Sequence, residues 1–375
     1  MTTAASSTPR SLGFRMPAEW ELHEGTWLGW PHELTDWPGK FAVIPWAFAE
    51  IVRHLSRVEL VFLFVESRTA QSRVRSMLKK AGANLDAVDF FIAPTDRGWM
   101  RDSGPICVCN ESGEVAFNNF QFNGWAKYPN HKKDAAVVSK ANKKLRRRLW
   151  RPQHKGHRVV LEGGSIDVNG RGTLLTTEEC LLSKVQERNS GFTKQDYAEV
   201  FREYLGVTNV LWLKNGIAGD DTHGHVDDLT RFVNPTTVVT IVETDANDAN
   251  YAPLQENLAL LKTMKDQDGV PLRVETVPMP APVYFDDFRL PASYANFYIA
   301  NKLVLVPTFN DSNDRVALDA LARLFPDREV VGIPCRDLVL GLGTIHCMTQ
   351  QQPAHAARLN FVAGETKKAF LRKTK

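Results

Sequence analysis

The sequence predicts an α/β fold, and three observations lead to that class. Strand-like and helix-like stretches alternate along the whole chain of 375 residues, which is the order that strand–helix–strand units produce. The composition is that of a globular protein, with 43% hydrophobic and 24% charged residues. No Gly/Ser-rich or Pro-rich linker divides the chain, so we expect one domain although the length would allow two or three.

The strands are predicted from apolar runs and from one hairpin. The clearest run is VELVFLFV (58–65), whose continuous hydrophobicity is typical of a buried strand. In HRVVLEGGSIDVNGRGTLLTT (157–177), the turn residues NGRG separate two strands and predict a hairpin. Further predicted strands are EVAFNNFQF (114–122), TTVVTIVE (236–243), KLVLVPTF (302–309) and EVVGIP (329–334).

Helices are predicted where apolar residues recur with helical spacing. Pro45 stands at the start of the first such segment, FAVIPWAFAEIVRHLS (41–56), and Gly206 ends TKQDYAEVFREYLG (193–206). The other predicted helices are DAAVVSKANKKLRRRLW (134–150), YAPLQENLALLKTMKD (251–266) and SNDRVALDALARLF (312–325).

Charge gives little support for a nucleic-acid partner. The chain has 46 basic and 43 acidic residues, a formal net charge of +3, whereas nucleic-acid-binding domains are usually strongly basic. The run KKLRRRLWRPQHKGHR (143–158) could bind phosphates, but Leu145 and Leu149 alternate with its charges. We interpret the run as the solvated face of a helix and predict no nucleic-acid partner.

Targeting signals are not found in the sequence. No run of about 18 apolar residues that could span a membrane occurs, and MTTAASSTPRSLGFR (1–15) lacks the apolar core of a secretory signal. The five cysteines are an odd, scattered set, which favours a reducing compartment, so we predict a cytoplasmic protein. The expected organisation is a disordered lead-in (1–13), one domain (14–365) and a basic C-terminal tail (366–375).

Five short stretches combine ionisable residues with glycines or turn residues and are candidates for the functional site. Glycine lets the backbone approach a ligand closely, which favours such stretches over ordinary core sequence. The stretches are DRGWMRDSGP (96–105), LEGGSI (161–166), GDDTHGHVDDLTRF (219–232), PTFNDSND (307–314) and GLGTIHCMTQQQP (341–353).

The first two stretches offer carboxylates. Asp102 lies close to Trp99 in the chain, and a carboxylate beside an aromatic face suits a flat cation, although a turn with surface ion pairs would look the same. Glu162 ends an apolar run and precedes two glycines, a placement as frequent in ordinary turns as in active sites.

The third stretch raises the question of a metal. His223 and His225 lie among four aspartates, including Asp227, which invites a zinc hypothesis. However, the pair Cys107 and Cys109 lies in an apolar strand, where packing is the better explanation. We therefore predict no metal and keep a zinc-dependent hydrolase built on His223, His225 and Asp227 as a rival.

The last stretch contains Cys347 between glycines and polar residues, a setting that predicts an exposed, reactive thiol rather than a packing residue. A lone cysteine with a histidine and acids elsewhere in the chain is the usual material of nucleophilic catalysis. Several carboxylates around one thiol suit a cationic electrophile, and a planar guanidinium with five N–H donors fits well.

Taken together, MPAEWELHEGTWLGWP (16–31), WMRDSGP (99–105), FNGW (122–125), LEGGSI, GHVDD (224–228) and GTIHCMTQQQP resemble the agmatine deiminases. These belong with the bacterial peptidylarginine deiminases in the guanidine-modifying superfamily. The resemblance runs from about Met16 to Pro353, and one departure is that Leu342 and Thr344 interrupt the longer glycine run of many relatives.

The resemblance implies a five-bladed α/β propeller of pseudo-fivefold ββαβ modules. It implies that Cys347 is the nucleophile, His225 the acid/base and Glu162 a support for proton transfer. Asp102 and Asp227 would hold the guanidinium, and Trp99 would line the substrate slot. His223 would take no part.

The implied reaction is hydrolysis of agmatine to N-carbamoylputrescine and ammonia, a step towards putrescine. No cofactor is implied, the partner would be a small cationic guanidine, and a homo-oligomer is compatible with the family. The rivals are peptidylarginine deimination, the zinc hydrolase, and a non-catalytic protein that binds basic ligands.

The segment HEGTWLGWPHELTDW (23–37) could roof the site. Its aromatic and acidic side chains, those of Trp27, Trp30, Glu33, Asp36 and Trp37, suit the primary amine of such a substrate. Packing of the first module is the alternative, and for Trp27 it is the preferred one.

Overall fold

The computed structural model describes residues 7–354, and the α/β class predicted from the sequence is confirmed. This part of the chain contains five sheets of three or four strands that share one plan. In each sheet an antiparallel pair is extended by one parallel strand, and in the four-stranded sheet by two. A helix connects the parallel strands, because a parallel neighbour can be reached only by crossing over the sheet.

The strands of each sheet are given in their spatial order. The first sheet contains Thr349–Pro353, His23–Gly29, Leu60–Val65 and Val88–Ile92. The second contains Ile106–Cys109, Val115–Asn118 and Leu149–Trp150. The third contains Asp167–Val168, Thr173–Thr177 and Asn209–Leu213, the fourth Thr230–Asn234, Thr237–Val242 and Arg273–Pro278, and the fifth Tyr298–Ala300, Leu303–Thr308 and Glu329–Pro334.

The crossing helices are Ile44–Leu55 and Arg68–Lys80 in the first sheet, then Val137–Leu145, Lys194–Leu205, Tyr251–Leu261 and Asn313–Leu324 in the other four. Shorter helices are Met100–Ser103, Glu178–Leu182 and Ile345–Met348. Single 3-10 turns are Arg10–Leu12, Leu34–Asp36, Leu85–Ala87, Asp134–Ala136, Gly163–Ser165, Val226–Asp228 and Leu338–Gly341. Two small hairpins pair Gln153–His154 with His157–Arg158 and Tyr284–Phe285 with Phe288–Arg289.

The helix Lys194–Leu205 shows how local sequence sets these elements. Thr193 accepts a hydrogen bond from the Asp196 backbone, and the Asp196 carboxylate bonds back to the Thr193 backbone, which is a capping box. Gly206 ends the helix with a left-handed φ of 72°. The residues that face the core recur at helical spacing: Tyr197, Val200, Phe201 and Leu205.

The predicted helix 134–150 is too long at its C-terminal end. The helix is Val137–Leu145, and Arg146 adopts a left-handed φ of 53° that stops it. The Asn142 side chain then bonds both backbone groups of Arg147 and fixes the turn. The chain is redirected, and Leu149–Trp150 joins the second sheet as a strand.

The disordered lead-in expected at 1–13 is wrong for its last residues. The turn Arg10–Leu12 is followed by Gly13, and Trp150 donates a hydrogen bond to the Ser7 carbonyl oxygen at 2.8 Å. Thr8 also bonds to the Glu203 carboxylate at 2.9 Å. Residues 1–6 and 355–375, which include the predicted basic tail, lie outside the described residues. Between residues 7 and 354, no helix has both the length and the apolar character needed to cross a bilayer.

The chain returns to its first sheet at the end of the described part. The last strand, Thr349–Pro353, pairs antiparallel with the strand His23–Gly29 near the start of the chain. The described chain therefore contains five sheet-to-sheet connections, and they comprise residues 93–105, 151–166, 214–229, 279–297 and 335–348.

The capping box gives a stability prediction. Thr193→Ala removes the side-chain acceptor at the start of Lys194–Leu205, so we expect the free energy of unfolding to fall by about 1 kcal/mol. Denaturant unfolding measures the change. Thr193→Ser keeps the acceptor and should stay within about 0.5 kcal/mol of wild type; an equal loss in both variants would contradict the capping role.

Candidate active site

A cavity of about 480 Å³ brings together three of the six predicted site residues, because Trp99, Asp102 and Cys347 all line it. The other three, Glu162, His225 and Asp227, are buried beside Asp102 and Cys347. Further lining residues include Asp36, Arg97, Trp125, Tyr128, Asp221, Phe285, Phe288 and Leu342.

All six predicted residues lie on connections between sheets. Trp99 and Asp102 come from residues 93–105, and Glu162 comes from residues 151–166. The next connection, residues 214–229, supplies His225 and Asp227, and the last one, residues 335–348, supplies Cys347. Each connection thus delivers its side chains just before the next sheet begins.

The fourth connection also contributes a residue, which the sequence analysis missed. Asn296 donates hydrogen bonds to the Cys347 Sγ at 3.1 Å and to the Asp228 Oδ1 at 3.0 Å. Its Oδ1 accepts from the Thr344 hydroxyl at 2.8 Å and from the His346 backbone at 3.0 Å. An asparagine within the apolar stretch PASYANFYIA (291–300) carries no local signal of such a role.

Cys347 lies on the one-turn helix Ile345–Met348 and is buried, with 6% of its surface exposed, so the predicted exposed thiol is wrong. The glycines that suggested exposure instead permit close packing. A Cβ on Gly343 would lie 3.0 Å from the Cys347 Cβ and 3.1 Å from the Trp99 ring. Leu342 precedes it with a left-handed φ of 66°, a conformation costly for a leucine.

The Glu-Gly-Gly element is explained by close approach on both sides. A Cβ on Gly163 would collide with the Arg101 carbonyl oxygen, and one on Gly164 would lie 2.5 Å from the His225 Nδ1. The Gly164 N–H also donates to the Asp102 Oδ1 at 3.0 Å. These two glycines therefore let the backbone that follows Glu162 pack closely enough to donate a hydrogen bond to the Asp102 carboxylate.

Glu162 is fully buried and is paired with Arg188, whose Nε lies 3.2 and 3.3 Å from the two carboxylate oxygens. Burial alone would raise the pKa of Glu162, but Arg188 and then His225 outweigh it and lower the pKa to about 2. Glu162 is therefore ionised at neutral pH.

His225 is buried among carboxylates. Its Nε2 lies 3.7 Å from Glu162, and its Nδ1 lies 3.9 Å from Asp102 and 4.0 Å from Asp227. Within residues 7–354 neither ring nitrogen has a hydrogen-bond partner. Burial lowers the pKa of His225, but Asp102 and then Cys180 and Glu162 raise it well above its usual value, which favours the imidazolium.

The remaining acids differ in how far their neighbours stabilise the ionised carboxylate. Burial raises the pKa of Asp102 to about 6, and Trp125 donates to its Oδ2 at 2.9 Å. Burial and the neighbouring Asp227 raise the pKa of Asp228 well above its usual value. The pKa of Asp227 is lowered despite burial, because His346 donates to its Oδ2 at 2.6 Å.

The negative charges of these acids also affect the Cys347 thiol. Its hydrogen bond to the Asp227 Oδ2 spans 3.8 Å. Burial first, and then the charges of Asp227, Asp228 and Asp102, raise the pKa of Cys347 well above its usual range. The protein groups around Cys347 therefore favour the neutral thiol.

The zinc ligand set considered from the sequence is not assembled. His223 is turned away by a left-handed φ of 65°, and its Nε2 lies 3.0 Å from the Ser183 hydroxyl. In the described chain, the groups with possible ligand atoms close together are Glu162, Cys180 and His225, and Asp227, Asp228 and Cys347. Both oxygens of Glu162 already accept from a guanidinium, whose charge opposes a metal ion there.

The predicted roof is correct only in part. Asp36 lines the cavity and accepts a hydrogen bond from the Trp99 indole at 3.3 Å. Trp27 is fully buried in the core, and Trp37 is buried and packs against Trp99 with ring centres 5.7 Å apart. The other two turn away, since Trp30 packs on Phe48 and Glu33 caps its own turn through Thr35.

The stretch PTFNDSND is structural. Asp314 accepts hydrogen bonds from the backbone N–H groups of Phe309 and Asp311. Asp311 accepts from the backbone of Asn313, which leads into the helix Asn313–Leu324. The capping explanation thus accounts for both acids.

Comparison with known proteins places the chain among deiminases. The family model described as Porphyromonas-type peptidyl-arginine deiminase matches residues 15–353. The agmatine deiminase of Pseudomonas aeruginosa (strain LESB58) is 36% identical over 374 residues, covering 93% of this chain and 98% of that relative.

Solved structures of agmatine deiminases are also similar to this chain. The agmatine deiminase of Enterococcus faecalis, described as catalysing its reaction, has a TM-score of 0.85 and 31% identity, covering 95% of this chain and 100% of that chain. A cysteine-to-serine variant of the C. jejuni agmatine deiminase with substrate bound has a TM-score of 0.80 and 31% identity, covering 90% of this chain and 96% of that chain. The chain belongs to the Porphyromonas-type peptidyl-arginine deiminase family.

Proposed function

We propose that this protein is an agmatine deiminase, a hydrolase that converts agmatine and water to N-carbamoylputrescine and ammonia. The observation that carries the proposal is the surplus of buried carboxylates around one thiol. Asp102, Asp227 and Asp228 lie close enough to Cys347 to raise its pKa, an arrangement that suits a cationic electrophile. The agmatine deiminases to which the chain is similar support the same substrate.

Binding would use charge and shape together. A guanidinium presents N–H donors in one plane, and carboxylates match them as acceptors. Asp102 and Asp227 are assigned to hold it, and the Asp227 Oδ1 has no hydrogen-bond partner within residues 7–354. Trp99, on the cavity wall, would lie along the alkyl chain and guanidinium.

The first half of the reaction forms a covalent intermediate. The bound cation would offset the negative charges that keep the Cys347 thiol neutral, so the thiol proton can pass to solvent. The thiolate attacks the central guanidinium carbon and forms a C–S bond. His225, as the imidazolium, gives its proton to the departing nitrogen, the C–N bond breaks, and ammonia leaves an amidino thioether on Cys347.

The second half releases the product. His225, now neutral, takes a proton from water, and the hydroxide attacks the amidino carbon. The C–S bond breaks with its electron pair on sulfur, and the remaining proton on the oxygen passes to the departing thiolate. The neutral Cys347 thiol is restored, and the carbon keeps one oxygen as the ureido group. Glu162, ionised and 3.7 Å from the His225 Nε2, stabilises the imidazolium in both steps.

We further infer that the five sheets are the blades of a five-bladed α/β propeller with the site at its axis. Three features support this arrangement: the shared plan of the sheets, the pairing of the last strand with the first sheet, and the supply of site residues by every connection between sheets.

All five cysteines lie in the described part of the chain, and each is free. The cytoplasmic location stays a prediction.

Cys347→Ala should abolish turnover of agmatine, with a loss of at least about a thousandfold in kcat, because no other group forms the C–S bond. A colorimetric ureido assay measures it. Cys109→Ala, which changes a half-buried cysteine in the second sheet, should keep nearly full kcat. Appreciable turnover by a folded Cys347→Ala variant would rule out the covalent mechanism.

Asp102→Asn and Asp227→Asn keep the shape but remove a charge that faces the cation. We expect kcat/KM for agmatine to fall at least about tenfold in each, since charge-assisted hydrogen bonds contribute about 1.5–3 kcal/mol. Asp86→Asn, at an exposed site, is the control and should change nothing. Near-normal kinetics in both site variants would remove the two carboxylates from binding.

The substrate prediction compares agmatine, free arginine and an internal arginine in a peptide. Asp36, Asp102 and Asp221 line the cavity, and Arg97, which also lines it, is already paired with Asp36. The α-carboxylate of arginine should therefore be repelled. We expect kcat/KM for agmatine to exceed that for arginine at least about tenfold, with no peptide turnover. Citrulline formed in the peptide at a comparable rate would instead assign peptidylarginine deimination.

A further inference from the structure

His346 precedes the proposed nucleophile and has a role in neither half of the reaction, yet it is buried between two acids. Its Nδ1 lies 2.6 Å from the Asp227 Oδ2, and its Nε2 lies 2.8 Å from the Glu19 Oε2. Ionised carboxylates only accept hydrogen bonds. One acceptor at each ring nitrogen suits a ring that donates from both nitrogens, so His346 is placed to bridge the two acids.

The surroundings of Glu19 agree with a cationic His346. Glu19 lies 3.2 Å from the Arg101 Nη2 and 2.9 Å from the Arg231 Nη2, and it accepts from the Ile299 backbone at 2.8 Å. Arg231 pairs in turn with Asp167. With His346 protonated, this buried cluster has three cations and three carboxylates, namely Arg101, Arg231 and His346 with Glu19, Asp167 and Asp227.

Glu19 is itself held in place. Burial would raise its pKa, but Arg231, His346 and Arg101 outweigh burial and keep it well below the usual range. Its neighbours come from the connection 93–105, the fourth sheet, the fifth sheet and the connection 335–348. Glu19 is thus an ionised anchor shared by distant parts of the chain.

The bridge has a consequence for Asp227. Its Oδ2 is occupied by His346, whereas its Oδ1 has no hydrogen-bond partner within residues 7–354. We propose that His346 is a positioning residue, whose imidazolium is held by Glu19 and keeps Asp227 ionised with one oxygen free for the guanidinium. The inference rests on the proposed function only where Asp227 is the substrate acceptor.

The pH dependence arises from the groups that face Asp227. His225 lies 4.0 Å away, the Cys347 thiol lies 3.8 Å away, and Asp228 adjoins it with Arg231 also near. Removing the His346 cation leaves His225 and Arg231 alone to oppose burial and the neighbouring acids Asp102 and Asp228, so the pKa of Asp227 should rise. A carboxylate with a raised pKa becomes protonated, and loses the substrate, at a higher pH.

The first test is His346→Gln, with kcat and KM for agmatine measured from pH 5 to 9. We expect kcat/KM to fall at least about tenfold, mostly through KM, and the acid limb of the profile to move up by about one pH unit or more. His54→Gln, which replaces a buried histidine paired with Glu50 away from the site, should leave both unchanged. A His346→Gln variant with a lowered Tm but a wild-type KM and acid limb would overturn the proposal.

A second variant keeps the test decisive if His346→Gln does not fold. Glu19→Gln retains the shape and hydrogen-bonding capacity at the anchor but removes its charge. We expect the acid limb to move in the same direction by a smaller amount. An acid limb at the wild-type position in Glu19→Gln would also overturn the proposal.

The third measurement does not depend on agmatine. In 15N-histidine-labelled wild-type protein at pH 7, both ring nitrogens of His346, assigned by comparison with either variant, should show the chemical shifts of protonated nitrogen. A neutral His346 would overturn the inference even if the enzyme is active. Conversely, a protonated His346 in a protein that does not turn over agmatine would leave the bridge standing and reject the proposed function.

Discussion

The burial of several carboxylates around one thiol is the constraint on which the rest of the structure depends. A buried charge is costly unless an opposite charge or hydrogen bonds accompany it. Arg188 lowers the pKa of Glu162, and His346 lowers the pKa of Asp227, so both carboxylates stay ionised. Asp102 and Asp228 are not fully neutralised, and their pKa values are raised. The protein's own groups therefore leave these carboxylates short of positive charge, which the guanidinium of the proposed substrate would supply.

The same constraint couples the chemistry to binding. The acids that would attract the cation in the proposed mechanism also raise the pKa of the Cys347 thiol, so the proposed nucleophile would be weak until the cation binds. Asn296 counteracts this by donating to the sulfur. A buried thiol with a raised pKa is mainly neutral, and a neutral thiol reacts slowly with electrophiles and oxidants.

Local patterns in the sequence predicted the class of the fold and five of the six crossing helices in the described chain, missing Arg68–Lys80. They also drew attention to the motifs of six candidate residues that the structure brings close together, although the roles of these residues stay a proposal. They could not predict Asn296, which lies in an apolar stretch, because its partners are distant in sequence. They also misjudged Cys347, since glycines indicate both exposure and close packing, and only the Trp99 ring above Gly343 decides between the two. The early stop of the helix Val137–Leu145 depends on side-chain bonds that periodicity does not show.

The pairing of Thr349–Pro353 with His23–Gly29 has a consequence for how the protein matures. The chain must close a loop of more than three hundred residues for these two strands to meet, a contact of high sequence separation that is slow to form. Cys347 lies immediately before that last strand. A growing chain lacks Cys347 until almost all of the described part has been synthesised, so the site is completed late, when the strands Thr349–Pro353 and His23–Gly29 can pair.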